Sequence, residues 1–178
     1  MRLRNLILTL SAIAMVAGLA TPAAAVEQRP VSPDAEFLVA AHQGNLTQIK
    51  AGKIALRKGG TATVRDLGRQ LLTYHRRLDV AVQRAARKLD VSLPAAPNTE
   101  QKDLIRQYRA ASATEFDTLF VGSQLLAHQR AIKLGKIVLA TGTDPAVRKI
   151  VTAAVPVVRQ HQDALVSAQQ HIGDAAEQ

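Results

Sequence analysis

Four stretches of this 178-residue chain carry apolar residues at steps of three and four, and each stretch holds one histidine inside its apolar seam. Such steps keep side chains on one face of an α-helix, which turns once in about 3.6 residues. The clearest seam is Leu67, Leu71, His75, Leu78, Val82, Ala85 and Leu89. An earlier one runs through Leu38, His42, Asn45, Ile49, Gly52 and Leu56. A third takes Val121, Leu125, His128, Ile132, Gly135 and Leu139, broadened by Phe116, Phe120 and Leu134. The fourth is Val147, Ile150, Ala154, Val157, His161, Leu165, Ala168 and Ile172. No alternating β-branched run is bounded by hairpin turns, so the chain has little to build a sheet from.

Punctuation between the seams predicts where each helix starts and stops. Ser32-Pro33-Asp34 supplies an N-cap, a first-turn proline and an acid at the positive helix end. Gly59-Gly60 breaks the first helix after about Leu56, and Thr63 with Asp66 starts the second in the manner of a capping box. Leu93-Pro94-Ala95-Ala96-Pro97 cannot continue a helix. Asn98 with Gln101 caps a short helix over Glu100 to Arg109, followed by a break near Ala111-Ser112. A third long helix is expected from about Thr114 to Ala140, ended by Gly142. Asp144-Pro145 caps the fourth, which Pro156 should kink, freeing the Thr152 carbonyl. The expected class is all-α: an up-and-down four-helix bundle with an additional short helix between the second and third long helices.

Residues 1–25 belong to a different kind of segment. Arg2 and Arg4 precede an apolar run from Leu6 to Leu19, and Thr21-Pro22-Ala23-Ala24-Ala25 ends in small residues. That is the pattern of a secretory signal peptide cut after Ala25, and the apolar run is short for a membrane span. Residues 26–33 then form a short linker, 34–173 the bundle and 174–178 a frayed tail. Periplasmic or secreted placement is expected, with no transmembrane segment in the mature chain. The chain has no Cys, so neither a disulfide nor a lipid-anchored cysteine is available, and helix packing must supply the stability. Its formal charge of +9 falls to +7 once Arg2 and Arg4 are removed. An exported chain of that charge suits an anionic envelope surface or an acidic exported protein. Nucleic acid is excluded as a partner by export and by an aromatic content of two Tyr, three Phe and no Trp, too few for base stacking.

The histidines carry what chemistry the chain offers. The interval from His42 to His75 equals the interval from His128 to His161. In two antiparallel hairpins all four can approach one layer at mid-height. Neutral imidazoles on facing helices are a common way to hold Zn, Cu, Fe or Ni, so His42, His75, His128 and His161 are candidate metal ligands. The competing reading makes each a buried polar residue bonded to a carbonyl, an acid or a tyrosine, with Tyr74, Tyr108, Asn45 and Asp117 as companions. His171 lies near the end and is read as surface. Ala41-His42-Gln43 matches Ala127-His128-Gln129 at an offset of 86, and His75 matches His161 at the same offset. Duplication and convergence explain that match equally well.

Catalytic groupings are thin. A di-iron bundle needs Glu-x-x-His pairs, but Leu72 and Val158 stand three residues before His75 and His161. No serine sits in a recognisable nucleophile setting, and Gly59-Gly60 lacks the Gly-Lys-Ser/Thr of a phosphate loop. Glu115 and Asp117 are too close in sequence to flank a glycosidic bond. No catalytic or cofactor-binding residue is assigned, and an enzyme ranks last.

Taken in order, Phe37-Leu38, Ala40-Ala41, Gly44-Asn45-Leu46, Val64 leading to His75, Phe116-Asp117 before His128, and Asp144-Pro145 with Pro156 and His161 resemble a known pattern. The chain is similar, from Asp34 to about Ile172, to the exported bacterial proteins grouped as domain of unknown function 4142, some of which carry an outer-membrane label. The resemblance implies a ferritin-like bundle outside the cytoplasm and no established activity. Where an acid often follows Gly-Asn in that family, this chain has Thr47-Gln48. The leading expectation is an exported, non-enzymatic bundle that binds an envelope surface or another exported protein. A bundle holding a divalent metal on its core-facing histidines is the alternative, and the oligomeric state is not legible.

Overall fold

The computed structural model describes residues 32–176, except for the side chains of 114 and 173–176. The expected signal peptide and most of the expected linker lie outside the described residues. Five helices follow one another: α1 (Pro33–Lys58), α2 (Ala62–Lys88), the short α3 (Thr99–Ala110), α4 (Ala113–Thr141) and α5 (Pro145–Ala176). The fold is all-α, a ferritin-like bundle of four long helices and one short one, and no strand occurs among the described residues. No described helix is long and apolar enough to cross a membrane.

Most helix ends follow their sequence signals. Ser32 Oγ accepts the Ala35 N–H, and Asn98 with Gln101 forms a complete capping box. Ser112 and Glu115 form a second box at the start of α4. The start of α2 differs from expectation: the cap is Thr61, whose hydroxyl accepts the Val64 N–H, rather than Thr63. α5 is one helix through Pro156 and on to Ala176, so the proline does not interrupt it and 174–176 are helical. Pro156 cannot donate to the Thr152 carbonyl. Both residues are exposed, so the carbonyl is not stranded in the core.

The two hairpins, α1–α2 and α4–α5, hold each other by reciprocal carboxylates. Asp34, in the first turn of α1, accepts the N–H groups of Thr143 and Asp144 in the α4–α5 turn at 2.9 and 3.1 Å. Asp117, near the start of α4, accepts those of Gly60 and Thr61 in the α1–α2 turn, both at 2.9 Å. One common offset relates the two clamps, carrying Asp34 to Asp117, Gly60 to Thr143 and Thr61 to Asp144. Gly142 is required by this approach, because a Cβ there would meet Asp34 Oδ1 at 2.6 Å. Within the first hairpin the backbones nearly touch: a Cβ on Gly68 would stand 2.6 Å from that of Ala55.

The core is divided along its length. One apolar cluster surrounds Leu67, Leu71, Tyr108, Phe116, Phe120 and Leu165. A second surrounds Leu38, Val82, Val138, Val147 and Val151. Between them lies a buried polar layer of His42, Asn45, His75, Asp79, Gln124, His128 and His161. On α5 the buried positions before His161 are Val147, Val151 and Val158, whereas the expected Ile150, Ala154 and Val157 are only half-buried. The seam there is set by where α2 and α4 press, a tertiary property that a helical wheel does not contain.

Candidate metal centre

His75 on α2, His128 on α4 and His161 on α5 meet in the polar layer. Each offers one ring nitrogen, and these atoms all lie within 4.8 Å of one another. The His128 and His161 rings cross edge to face at 5.5 Å, with Nε2 of His128 3.4 Å from Nδ1 of His161. His75 stands 6.3 and 6.2 Å from them, centroid to centroid. Three nitrogens around one ion at about 2.0–2.1 Å are themselves about 3.3–3.6 Å apart, so one pair is already at bonding separation. The third nitrogen lies within 4.8 Å of both.

Hydrogen bonds decide which nitrogens are free. Nδ1–H of His75 donates to Asn45 Oδ1 at 2.8 Å, which leaves a lone pair on Nε2. That atom is buried and has no partner. Nδ1–H of His128 donates to the Gln124 carbonyl at 2.8 Å, again leaving Nε2 as the acceptor. A ligating histidine characteristically spends its other N–H in this way. Asn45 is itself held, its Nδ2 donating to Asp79 Oδ1 at 3.4 Å. The Asp79 carboxylate also accepts from His42 Nδ1 at 2.7 Å and from Gln83 Nε2 at 2.6 Å. Asp79 thus anchors the network behind His75 and places a carboxylate two hydrogen bonds from the candidate ion position.

Burial keeps the triad neutral. It pushes His75 down to about 3, with the neighbouring His128 and His161 adding to the effect. His161 is lowered to about 4 by burial and then by His128. His128 is lowered by burial, against the opposing pull of its bond to the Gln124 carbonyl. Unprotonated imidazoles are the form that binds metal. The Tyr74 ring packs edge-on against both His75 and His161 at 5.4 Å, covering one side of the group, and burial raises its hydroxyl.

The four sequence candidates therefore part company. His75, His128 and His161 come together, while His42 stands apart on Asp79. Asn45 is the partner of His75, as its place in the first seam allowed. Asp117 serves the α1–α2 turn instead of any histidine. Tyr108 donates to Ser123 Oγ and accepts from Gln124, away from the rings. Gln124 and Gln83 were not singled out in the sequence. Their only signal is position: Gln124 is one turn before His128, and Gln83 one turn after Asp79.

The chain belongs to the family described as Domain of unknown function (DUF4142), which matches residues 19–167. None of the curated proteins matches it. Two solved structures share its fold. "CopM in the Cu(II)-bound form" superposes with a TM-score of 0.67 at 14% identity, covering 78% of this chain and 96% of that one. "CopM in the Cu(I)-bound form" gives 0.65 at 14% identity, with 79% and 96% covered. At such identity the likeness establishes the fold alone. Between the two expectations, the buried triad favours the metal-holding bundle over a purely electrostatic binder.

Proposed function

We propose that this protein is an extracytoplasmic metal-binding bundle whose His75, His128 and His161 hold one late first-row transition ion, copper before zinc. The single observation that carries this reading is the buried, unpartnered Nε2 of His75 facing two further imidazoles kept neutral by burial. Imidazole suits copper and zinc, and copper(II) stands above zinc in intrinsic affinity for nitrogen sites. CopM, similar in fold, is known in copper-bound forms, which supports the order of preference. The signal-peptide pattern supports an extracytoplasmic setting.

His75 and His128 would bind through Nε2, each oriented by the bond its Nδ1–H already makes. His161 would bind through Nδ1, so its proton resides on Nε2 when the site is loaded. The ion supplies a cationic centre with a coordination position left open by three protein ligands. No thiolate or thioether is available, since the chain has no Cys and its only Met are Met1 and Met15. With three neutral ligands, the Asp79 carboxylate behind Asn45 would offset one positive charge of the ion.

Tag-free mature protein titrated with Cu(II), Cu(I) and Zn(II), with metal analysis after gel filtration, tests this. One tightly held copper per chain is expected, lost in both His75→Ala and His161→Ala while helicity is retained. Full copper uptake by both variants sinks the proposal.

A further inference from the structure

We propose that the cavity bounded by α1, α3, α4 and parts of α2 and α5 is a second binding site, for a neutral and largely apolar organic molecule bearing one N–H or O–H donor. The cavity measures ≈ 800 Å³, within the range of about 300–1,000 Å³ usual for small-molecule sites. Its walls are mainly aliphatic, with Ala41, Leu78, Val82, Leu134, Val151 and Val155 among them. Into this apolar space project the side chains of Gln48 and Gln124, whose amide oxygens are both buried and without partners.

The orientation of Gln124 follows from the hydrogen bonds of its neighbours. Ser123 Oγ donates to the Leu119 carbonyl, so the Tyr108 hydroxyl donates to Ser123 Oγ at 2.6 Å. That hydroxyl then accepts from Gln124 Nε2 at 3.1 Å, and the amide oxygen must point elsewhere. Turning the amide over would let the Tyr108 hydroxyl donate to it only if Ser123 Oγ gave up the Leu119 carbonyl and donated to Tyr108 instead. Native interiors leave few polar atoms unsatisfied, and the two amide oxygens, beside His75 Nε2 and the ion-paired Asp103 Oδ1 on the same lining, call for a donor that the chain does not supply. The ligand should be uncharged. Of the carboxylates on the cavity lining, Glu100 is bonded to Arg130 and Asp103 lies in an ion pair with Arg106, so a cationic ligand would have to compete with a guanidinium for either. Nothing here depends on the histidine triad, although His75 also borders the cavity.

Gly44 makes the site testable without touching the triad. It lines the cavity, and a Cβ placed on it meets nothing within 4 Å. Gly44→Leu should fill the space while improving a helix interior. The probes are N-phenyl-1-naphthylamine, which is neutral with a single N–H, and its N-methyl derivative, which has none. Metal-free mature protein should bind the first saturably and one to one, read by fluorescence. Gly44→Leu should weaken that binding at least about tenfold at unchanged helicity, as expected when the probe's own volume is taken. The N–H probe should be preferred about three- to tenfold, the size of one net hydrogen bond, and Gln124→Leu should erase the preference. Absent saturation, unchanged affinity in a folded Gly44→Leu, or equal binding of the two probes would overturn the proposal. Should Gly44→Leu lose helicity, the two probes on Gln124→Leu decide alone. Copper uptake is measured separately on the same variants, so failure of this site and failure of the metal centre are distinguishable.

Discussion

The two long hairpins carry histidines at the same spacing, yet they use them differently. In the α4–α5 hairpin His128 and His161 face each other across the helix pair. In the α1–α2 hairpin His42 faces Asp79, and His75 faces Asn45. The reason lies in the distance of each ring from its turn. Counted from Gly60, His42 is the farther ring of its hairpin and His75 the nearer. Counted from Thr143, the equivalent turn residue, His128 is the nearer and His161 the farther. The clamps made by Asp34 and Asp117 relate the hairpins at an offset of 83 (117 − 34), while the histidines repeat at 86 (128 − 42). The difference, three positions, is nearly one helical turn. The counterpart of His128 in the first hairpin is therefore Asn45, the residue that orients His75. Equal spacing in sequence is not equal place in a bundle; the turn supplies the origin from which position is counted.

The sharpest way to break this contrast is to remove histidines from each hairpin in turn. His161→Ala should abolish stoichiometric copper binding. His42→Ala, which touches Asp79 and none of the three ligands, should keep one ion per chain and weaken it by less than about tenfold, below the usual cost of losing a direct partner of a ligand. Calorimetric titration reads both, and equal losses would erase the difference between the hairpins.

Acid should act on the triad next. An unfolded chain protonates its histidines near pH 6.5, but folded His75 resists until about 3 and His161 until about 4. The unfolded state then holds more protons across that window, so the stability of the metal-free protein falls as pH drops from about 6.5 toward 4 and is flat just above it. Urea unfolding at several pH values should show this slope, and His75→Leu should flatten it. A slope unchanged by that substitution would mean that other groups set the acid limit.

Backbone contact separates the hairpins on a smaller scale. Gly68→Ala forces a Cβ to within 2.6 Å of Ala55 and 3.0 Å of the Gly52 carbonyl, and should cost about 1–3 kcal/mol in chemical denaturation. Gly122→Ala on α4, where the same atom meets nothing within 4 Å, should instead stabilise by about 0.5–1 kcal/mol. Similar effects at both sites would remove the claim that the backbones of α1 and α2 nearly touch at Gly68.

Helices and most of their ends were legible because caps and seams are local. Asn98 with Gln101 and Ser32-Pro33-Asp34 act within one turn of themselves. The start of α2 was misplaced at Thr63 because Thr61 is chosen partly by Asp117, which is distant in the chain. The same limit applied to the site. The seams brought the histidines to the core, but only the hairpin register separates His42 from the three that meet. Gln124 was invisible for a related reason: its importance comes from Tyr108 on a different helix.

The polar layer also works as a detent. Aliphatic seams tolerate sliding, since one leucine meets another much as it met the last. Moving α2 by a turn along α1 would carry Asp79 away from His42 and Asn45 toward the cluster around Leu38 and Val82. A buried charge stripped of its partners costs about 3–5 kcal/mol, comparable with much of a small domain's stability. With or without an ion, the histidine layer thus indexes the bundle, allowing a single alignment among helices whose apolar faces alone would accept several.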